Sequence, residues 1–219
     1  MKYRSIFDII GPVMVGPSSS HTAGAVRLGH MARGIFGNEP TKLHITFYRS
    51  FAETYKGHGT DVAVVSGVLN MMPDDPNIPL GIDLAKARGI DLIIDTSDDP
   101  VAMPNTVRIQ LSDEKHSLDF VGVSIGGGMI EATSINGFEV HIDDENPALL
   151  IEYLDQAGII ARVTARLAVE RINISQMTVT RKARGSNALM VISTDQKVPD
   201  VVVRSVQDVP GIELVITLE

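Results

Sequence analysis

Ala148-Leu149-Leu150-Ile151-Glu152-Tyr153 opens the stretch whose reading decides the fold, and Ile212-Glu213-Leu214-Val215-Ile216-Thr217-Leu218 closes it. The opening run is apolar and strand-like, and Asp155-Gln156-Ala157-Gly158 breaks it. From Ile159 the spacing changes to that of a helix. Ile159, Val163 and Leu167 recur every fourth residue, with Ile160, Thr164 and Ala168 beside them. Asn173 ends this region, and Ile174 to Arg181 alternates as a strand. Lys182-Ala183-Arg184-Gly185-Ser186 turns the chain, and Asn187 to Ser193 returns as the second arm of a hairpin. A second helix runs from Val198-Pro199-Asp200 to about Asp208, with Pro199 near the first turn, where a missing N–H matters least. Pro210-Gly211 stops it before the closing strand.

The order β-α-β-β-α-β is the ferredoxin-like plan. Working back from it, Asp143-Asp144-Glu145-Asn146-Pro147 is polar, ends in proline and reads as a linker, so the expected domains are 1–147 and 148–219. The first is a less regular α+β mixture, which makes the whole chain α+β. A helix capped by Ser19 or Ser20 runs to about Phe36, and Lys42 to Tyr48 alternates as a strand. Gly59 to Met72 reads as a buried helix and Ile82 to Arg88 as another, leading into the strand Ile90–Asp95. Strands follow at Thr106–Ser112 and Ser117–Ile125, then a hairpin turning at Asn136-Gly137.

Composition sets the outer limits. With 219 residues, of which 44% are hydrophobic and 21% charged, the chain can bury a core and is not largely disordered. No apolar run approaches the roughly 20 residues of a membrane span, and Met1-Lys2-Tyr3-Arg4-Ser5 lacks an apolar signal core, so a cytoplasmic protein is expected. A formal charge of −8 argues against nucleic acid and anionic membrane as partners. Cysteine is absent, so the chain supplies no disulfide, no thiol nucleophile and no thiolate for zinc or an iron–sulfur cluster. A cluster, if the protein works with one, belongs to another chain.

Two segments can carry chemistry. In Gly16-Pro17-Ser18-Ser19-Ser20-His21-Thr22-Ala23-Gly24, a tight turn delivers three hydroxyls and a histidine to the start of a helix, where free N–H groups favour an anion. The plain alternative is a well-capped helix, for which one serine would suffice. In Tyr55-Lys56-Gly57-His58-Gly59-Thr60-Asp61, glycines on both sides strip His58 of neighbouring bulk, and Thr60 or Asp61 can cap the next helix. A histidine so placed can act as acid, base or donor near neutral pH, or sit on a surface turn. Ser124-Ile125-Gly126-Gly127-Gly128 is either an anion-binding nest or a bulged turn. Asp155–Gly158 and Asn173-Ile174 bracket a helix and suit either a small amino-acid ligand or ordinary capping.

Taken with Pro104-Asn105-Thr106 and the opening Met1-Lys2-Tyr3-Arg4-Ser5-Ile6-Phe7-Asp8-Ile9-Ile10-Gly11-Pro12, these motifs resemble the beta-subunit family of bacterial iron–sulfur-dependent L-serine dehydratases along essentially the whole chain. The C-terminal part resembles an ACT domain, an amino-acid-sensing module. The first domain resembles the allosteric substrate-binding domain of some phosphoglycerate dehydrogenases.

The resemblance implies conversion of L-serine to pyruvate and ammonia, a step of amino-acid catabolism, with an alpha subunit carrying an oxygen-sensitive 4Fe-4S cluster. There an iron polarises the serine hydroxyl while a base takes the α-proton. It implies catalytic roles for His21 and His58, and substrate binding by Ser18, Ser19, Ser20, Thr22, Asn105 and Thr106. It also implies self-association through the ACT domain, with a regulatory ligand at Asp155, Gly158, Asn173 and Ile174. Some two-chain relatives respond to potassium, so a monovalent cation is the alternative ligand. Two positions depart from the family pattern: Arg49 stands where many relatives carry glycine, and Met103 where they carry histidine. The competing reading is a serine-sensing regulatory subunit that supplies no active-site group.

Overall fold

In a computed structural model of the chain, the structure describes residues 13–101 and 103–218. The opening motif that supports the family resemblance lies outside the described residues. The chain divides into two compact units, Met1–Gly137 and Phe138–Glu219.

The first unit contains strands β1 (Lys42–Tyr48), β2 (Asp91–Ser97), β3 (Thr106–Ser112), β4 (Ser117–Gly126) and β5 (Met129–Ile135), hydrogen-bonded in the order β2-β1-β3-β4-β5. Only β1 and β2 are parallel; the other pairs are antiparallel. Period-two alternation sends Leu43, Ile45 and Phe47 of β1 and Val107, Ile109 and Leu111 of β3 into the core. His44, Thr46, Arg108, Gln110 and Asp119 are half-buried at the intervening positions. Two polar contacts cross these strands: a hydrogen bond between His44 Nε2 and Asp95 Oδ2 at 2.8 Å, and a two-pronged ion pair from Arg108 to Asp119 at 2.8 and 2.6 Å.

The unit's helices are α1 (Gly24–Phe36), α2 (Arg49–His58), α3 (Thr60–Val68) and the short α4 (Gly81–Ala87). Ala63 to Val68 of α3 are all buried, as expected of a helix that is apolar on every side. Where α1 meets α3, Gly29 faces the Val64 carbonyl and Gly67 faces the Val26 carbonyl, too close for any side chain. The two backbones therefore touch directly, and the π-helical turn before α1 is fixed relative to α3.

In the second unit, β6 (Phe138–Asp143) precedes β7 (Ala148–Leu154), α5 (Ile159–Val169), β8 (Ile174–Arg181), β9 (Asn187–Thr194), α6 (Asp200–Gln207) and β10 (Ile212–Leu218). The antiparallel order β10-β7-β9-β8 is the ferredoxin-like arrangement that the sequence predicts. Leu149, Ile151 and Tyr153 of β7, Ile159, Val163 and Leu167 of α5, and Val202 and Val206 of α6 meet in one core.

Compactness places the division five residues before the polar segment Asp143–Pro147 because the chain on both sides of that segment is tied to the second unit. Thr180 Oγ1 donates to the Glu139 carbonyl at 2.9 Å, and the Lys182 ammonium lies 4.6 Å from the centre of the Phe138 ring. At the other end, Thr194 N–H donates to the Pro147 carbonyl at 2.9 Å.

Candidate active site

Gly16, at φ +143°, leaves no room for a side chain because Thr22 packs against it. The chain then extends through Ser18 (φ −143°, ψ 127°), whose Oγ accepts the His21 N–H at 3.2 Å. Ser18, rather than Ser19 or Ser20, is thus the N-cap. The turn that follows, Ser19–Ala23, is π-helical, with the Gly24 N–H reaching back five residues to the Ser19 carbonyl. Such widened turns recur at functional sites. Thr22 and Ala23 are buried, while Ser18, Ser19, Ser20 and His21 are half-buried along one short arc.

The second histidine arrives on a helix. The segment around His58 reads from sequence as a glycine-rich turn, but α2 starts directly after β1 and keeps His58 as its last residue, with Gly59 left-handed (φ +65°) closing it. Neither Thr60 nor Asp61 caps α3; Gly59 holds that position without a side-chain bond. Asp61 instead accepts from the Val62 N–H at 2.8 Å. Phe51 and His58 are seven residues apart, two helical turns, and so share a face.

That face meets His21. The His21 ring lies 4.9 Å from the His58 ring and packs edge-on against Phe51 at 5.2 Å. Ser18 Oγ is 3.4 Å from His21 Nδ1, and Ser50 Oγ is 3.5 Å from Nε2. Burial, then the charge of His58, holds His21 below the usual histidine range. His58 itself is exposed. Sequence reasoning missed Ser50 and Phe51, although the seven-residue spacing from Phe51 to His58 could have found the face.

Asn105 and Thr106 come to the same region through Ser124. The Ser124 N–H donates to the Asn105 carbonyl at 3.1 Å, and Asn105 Nδ2 donates to the Ser124 carbonyl at 3.4 Å. The Ser124 side chain, on the end of β4, presses on Gly24 at the start of α1. Thr106 is buried and gives its hydroxyl proton to the Met103 carbonyl at 2.7 Å, so that donor is committed locally. Gly127 and Gly128 both have positive φ (65° and 85°) and close a tight hairpin between β4 and β5. Arg49 takes φ +50°, a conformation that glycine adopts without strain.

In the second unit, Asp155 and Gly158 line a cavity at the start of α5 together with Tyr153, Ile160, Arg181 and Arg184. Arg181 Nη1 donates to Asp155 Oδ2 at 2.8 Å, and this bond holds the Asp155 carboxyl below the usual carboxylate range. Asn173 and Ile174 sit at the far end of α5, whose 11 residues span about 16 Å. There Asn173 Nδ2 donates to Asp195 Oδ2 at 2.6 Å. Within one chain, the two halves of the expected regulatory site are apart.

Residues 5–86 match the family model described as serine dehydratase beta chain, and residues 148–211 match the ACT domain. The chain is 50% identical over 212 residues to a probable L-serine dehydratase, beta chain, of Bacillus subtilis, covering 97% of this chain and 96% of that one. It is 39% identical over 185 residues to the L-serine dehydratase, beta chain, of Peptoniphilus asaccharolyticus, covering 84% and 83%. A shorter match, 28% over 130 residues, links 59% of this chain to 24% of a D-3-phosphoglycerate dehydrogenase of Methanocaldococcus jannaschii.

Proposed function

This chain belongs to the serine dehydratase beta chain family, and on that premise we propose that it joins a separate alpha subunit to convert L-serine into pyruvate and ammonia. The observation that carries the reading is the pairing of His21 with His58, 37 positions apart in sequence and 4.9 Å apart between ring centres. The reaction removes one proton from the serine α-carbon and expels the hydroxyl as water, and the resulting enamine hydrolyses. Both steps at the carbon skeleton move a proton, which two adjacent imidazoles are suited to do near neutral pH. The half-buried arc Ser18–Ser20, at the amino end of the π-turn and α1, suits the substrate carboxylate.

The family's 4Fe-4S cluster does not fit this chain. It has no cysteine, and among the described residues no three His, Asp or Glu side chains are grouped to hold a metal. We assign the cluster to the alpha subunit. Among the described residues no helix is long and apolar enough to cross a membrane; the proposed setting is the cytoplasm.

Residues 1–147 would then be the catalytic part and 148–219 an ACT module that senses a small effector, serine being the first candidate and potassium the alternative. Since Asp155 and Gly158 lie at one end of α5 and Asn173 and Ile174 at the other, one small ligand meets both sets only where two chains pair. The proposal therefore includes self-association through this module.

The test is anaerobic co-expression with the alpha chain, followed by a serine-to-pyruvate assay. The complex should turn over serine and the isolated chain should not. His21→Ala and His58→Ala should each lower turnover by about 10²–10⁴-fold with the complex still assembled. Pyruvate formation by this chain alone would overturn the two-chain reading. Near-normal turnover in both variants would leave a non-catalytic, serine-sensing regulatory subunit.

A further inference from the structure

We propose that His21 and His58 form a proton relay, in which His21 takes the α-proton of the substrate and His58 is the outlet that carries it on to solvent. This rests on the proposed catalytic reading and gives each ring a separate task. His21 is half-buried, with Phe51 edge-on at 5.2 Å closing one side of its ring. His58 is exposed, and its ring lies 4.9 Å away, tilted by 51°. Imidazoles at that separation exchange a proton directly or through one water. A half-buried base has to be emptied after each turnover, and the ring that meets both His21 and solvent is His58. The two serine hydroxyls beside His21, Ser18 Oγ at 3.4 Å from Nδ1 and Ser50 Oγ at 3.5 Å from Nε2, can each donate or accept. They tolerate the ring in its neutral and its charged form, as a group that gains and loses a proton requires.

Electrostatics gives the relay a direction. Burial disfavours the charged form of His21, and a charge on His58 disfavours it further. The elements packed against the π-turn carry Arg27, His30 and Arg33 on α1, Arg49, Glu53, Tyr55, Lys56 and His58 on α2, Asp61 on α3 and Asp119 on β4. Of these only His58 acts on His21, so no carboxylate among them holds the ring charged. His58 must therefore release its proton to solvent before His21 accepts the next one. In the step itself the C–H bond breaks and its proton goes to His21. The electron pair forms the carbon–carbon double bond as the C–O bond breaks and hydroxide leaves. That hydroxide and the proton released by His58 sum to one water, and the pair returns to its starting state.

Nitrogen-15 NMR titration of the isolated full chain reads the pair without the partner. His21 should titrate below the usual histidine range, and His58→Gln should move its midpoint to higher pH by removing the neighbouring charge. In the complex at low buffer concentration, His58→Ala should lose most turnover, and added imidazole should restore it by about 10-fold or more with saturation. The native complex under the same imidazole is the control for inhibition. His21→Gln, whose side chain fills the place of the ring, should not be restored. An unchanged His21 midpoint in His58→Gln overturns the relay, and so does imidazole that leaves His58→Ala untouched or restores His21→Gln equally. If His58→Ala does not assemble, His58→Gln under the same imidazole series decides. A native complex that forms no pyruvate overturns the proposed function and the relay with it, whereas the other adverse results overturn the relay alone.

Discussion

Gly24→Ala tests whether the π-turn that carries His21 is held by contact with β4. Gly24 has ordinary helical angles, φ −61° and ψ −40°, so alanine brings no backbone strain. It should even gain about 1 kcal/mol of helix propensity over glycine. Against that, its Cβ would run into Ser124 Oγ and come within 2.9 Å of Ser124 Cβ. Serine can swing its hydroxyl aside, but Cβ is fixed to the strand, so the turn or β4 must move. Overpacking of this kind costs about 1–3 kcal/mol. The net loss should be up to about 2 kcal/mol, lowering the melting temperature by up to about 8 °C for a chain of this size. The contact also predicts its own rescue, because Ser124→Gly removes both obstructing atoms. The double variant should be more stable than the sum of the single changes by about 1 kcal/mol or more in a double-mutant cycle. Thermal and urea melts of the four proteins measure this, and turnover in the complex should follow the same pattern. Additivity within about 0.5 kcal/mol would refute the contact as the holding element.

Arg49→Gly should stabilise the chain by about 0.5–1 kcal/mol in urea melts, because glycine adopts a φ of +50° without strain; a loss of stability would show that the arginine side chain does more than its backbone costs. Burial lowers the His21 pKa in the folded chain, so the unfolded chain binds the extra proton. The contribution of His21 to stability is then complete above its unfolded pKa of about 6.5 and is lost as pH falls through the folded value. His21→Gln should flatten the stability curve over that acid interval, and an unchanged slope would refute the sign. Asn173→Ala in the complex should shift serine saturation by about 5- to 150-fold, a coupling of ~1–3 kcal/mol; an unchanged curve would leave the second unit with an assembly role only.

The second unit was legible in the sequence because its periods are clean. Ile159, Val163 and Leu167 mark one helical face, and the residues between Ile174 and Ser193 alternate on either side of a polar turn. Asn136-Gly137 announced a tight turn, and both residues do take positive φ, 50° and 77°. The α2 helix was hidden by Gly57 and Gly59, which read as a turn although only Gly59 leaves the helical region. The His21 and His58 segments could be singled out by composition, but the contact between their rings depends on how β1, α2 and the π-turn pack, which no local spacing records. The π-turn was illegible for a related reason: the Gly24 N–H reaches back five residues to Ser19 instead of four, a backbone choice that no residue pattern in Ser18–Gly24 announces. The tie of β6 to β8 through Thr180 and Glu139 is likewise tertiary.

The absence of a loop between β1 and α2 makes chain length itself a determinant of the site. Each residue added or removed at that junction would turn α2 by about 100° about its axis. Ser50, Phe51 and His58 would swing away from His21 together, since all three ride on the same short cylinder. Substitutions at the junction can be graded, but an insertion cannot: a single extra residue between Tyr48 and Ser50 would dismantle every contact His21 makes with α2, with each side chain of the site still present.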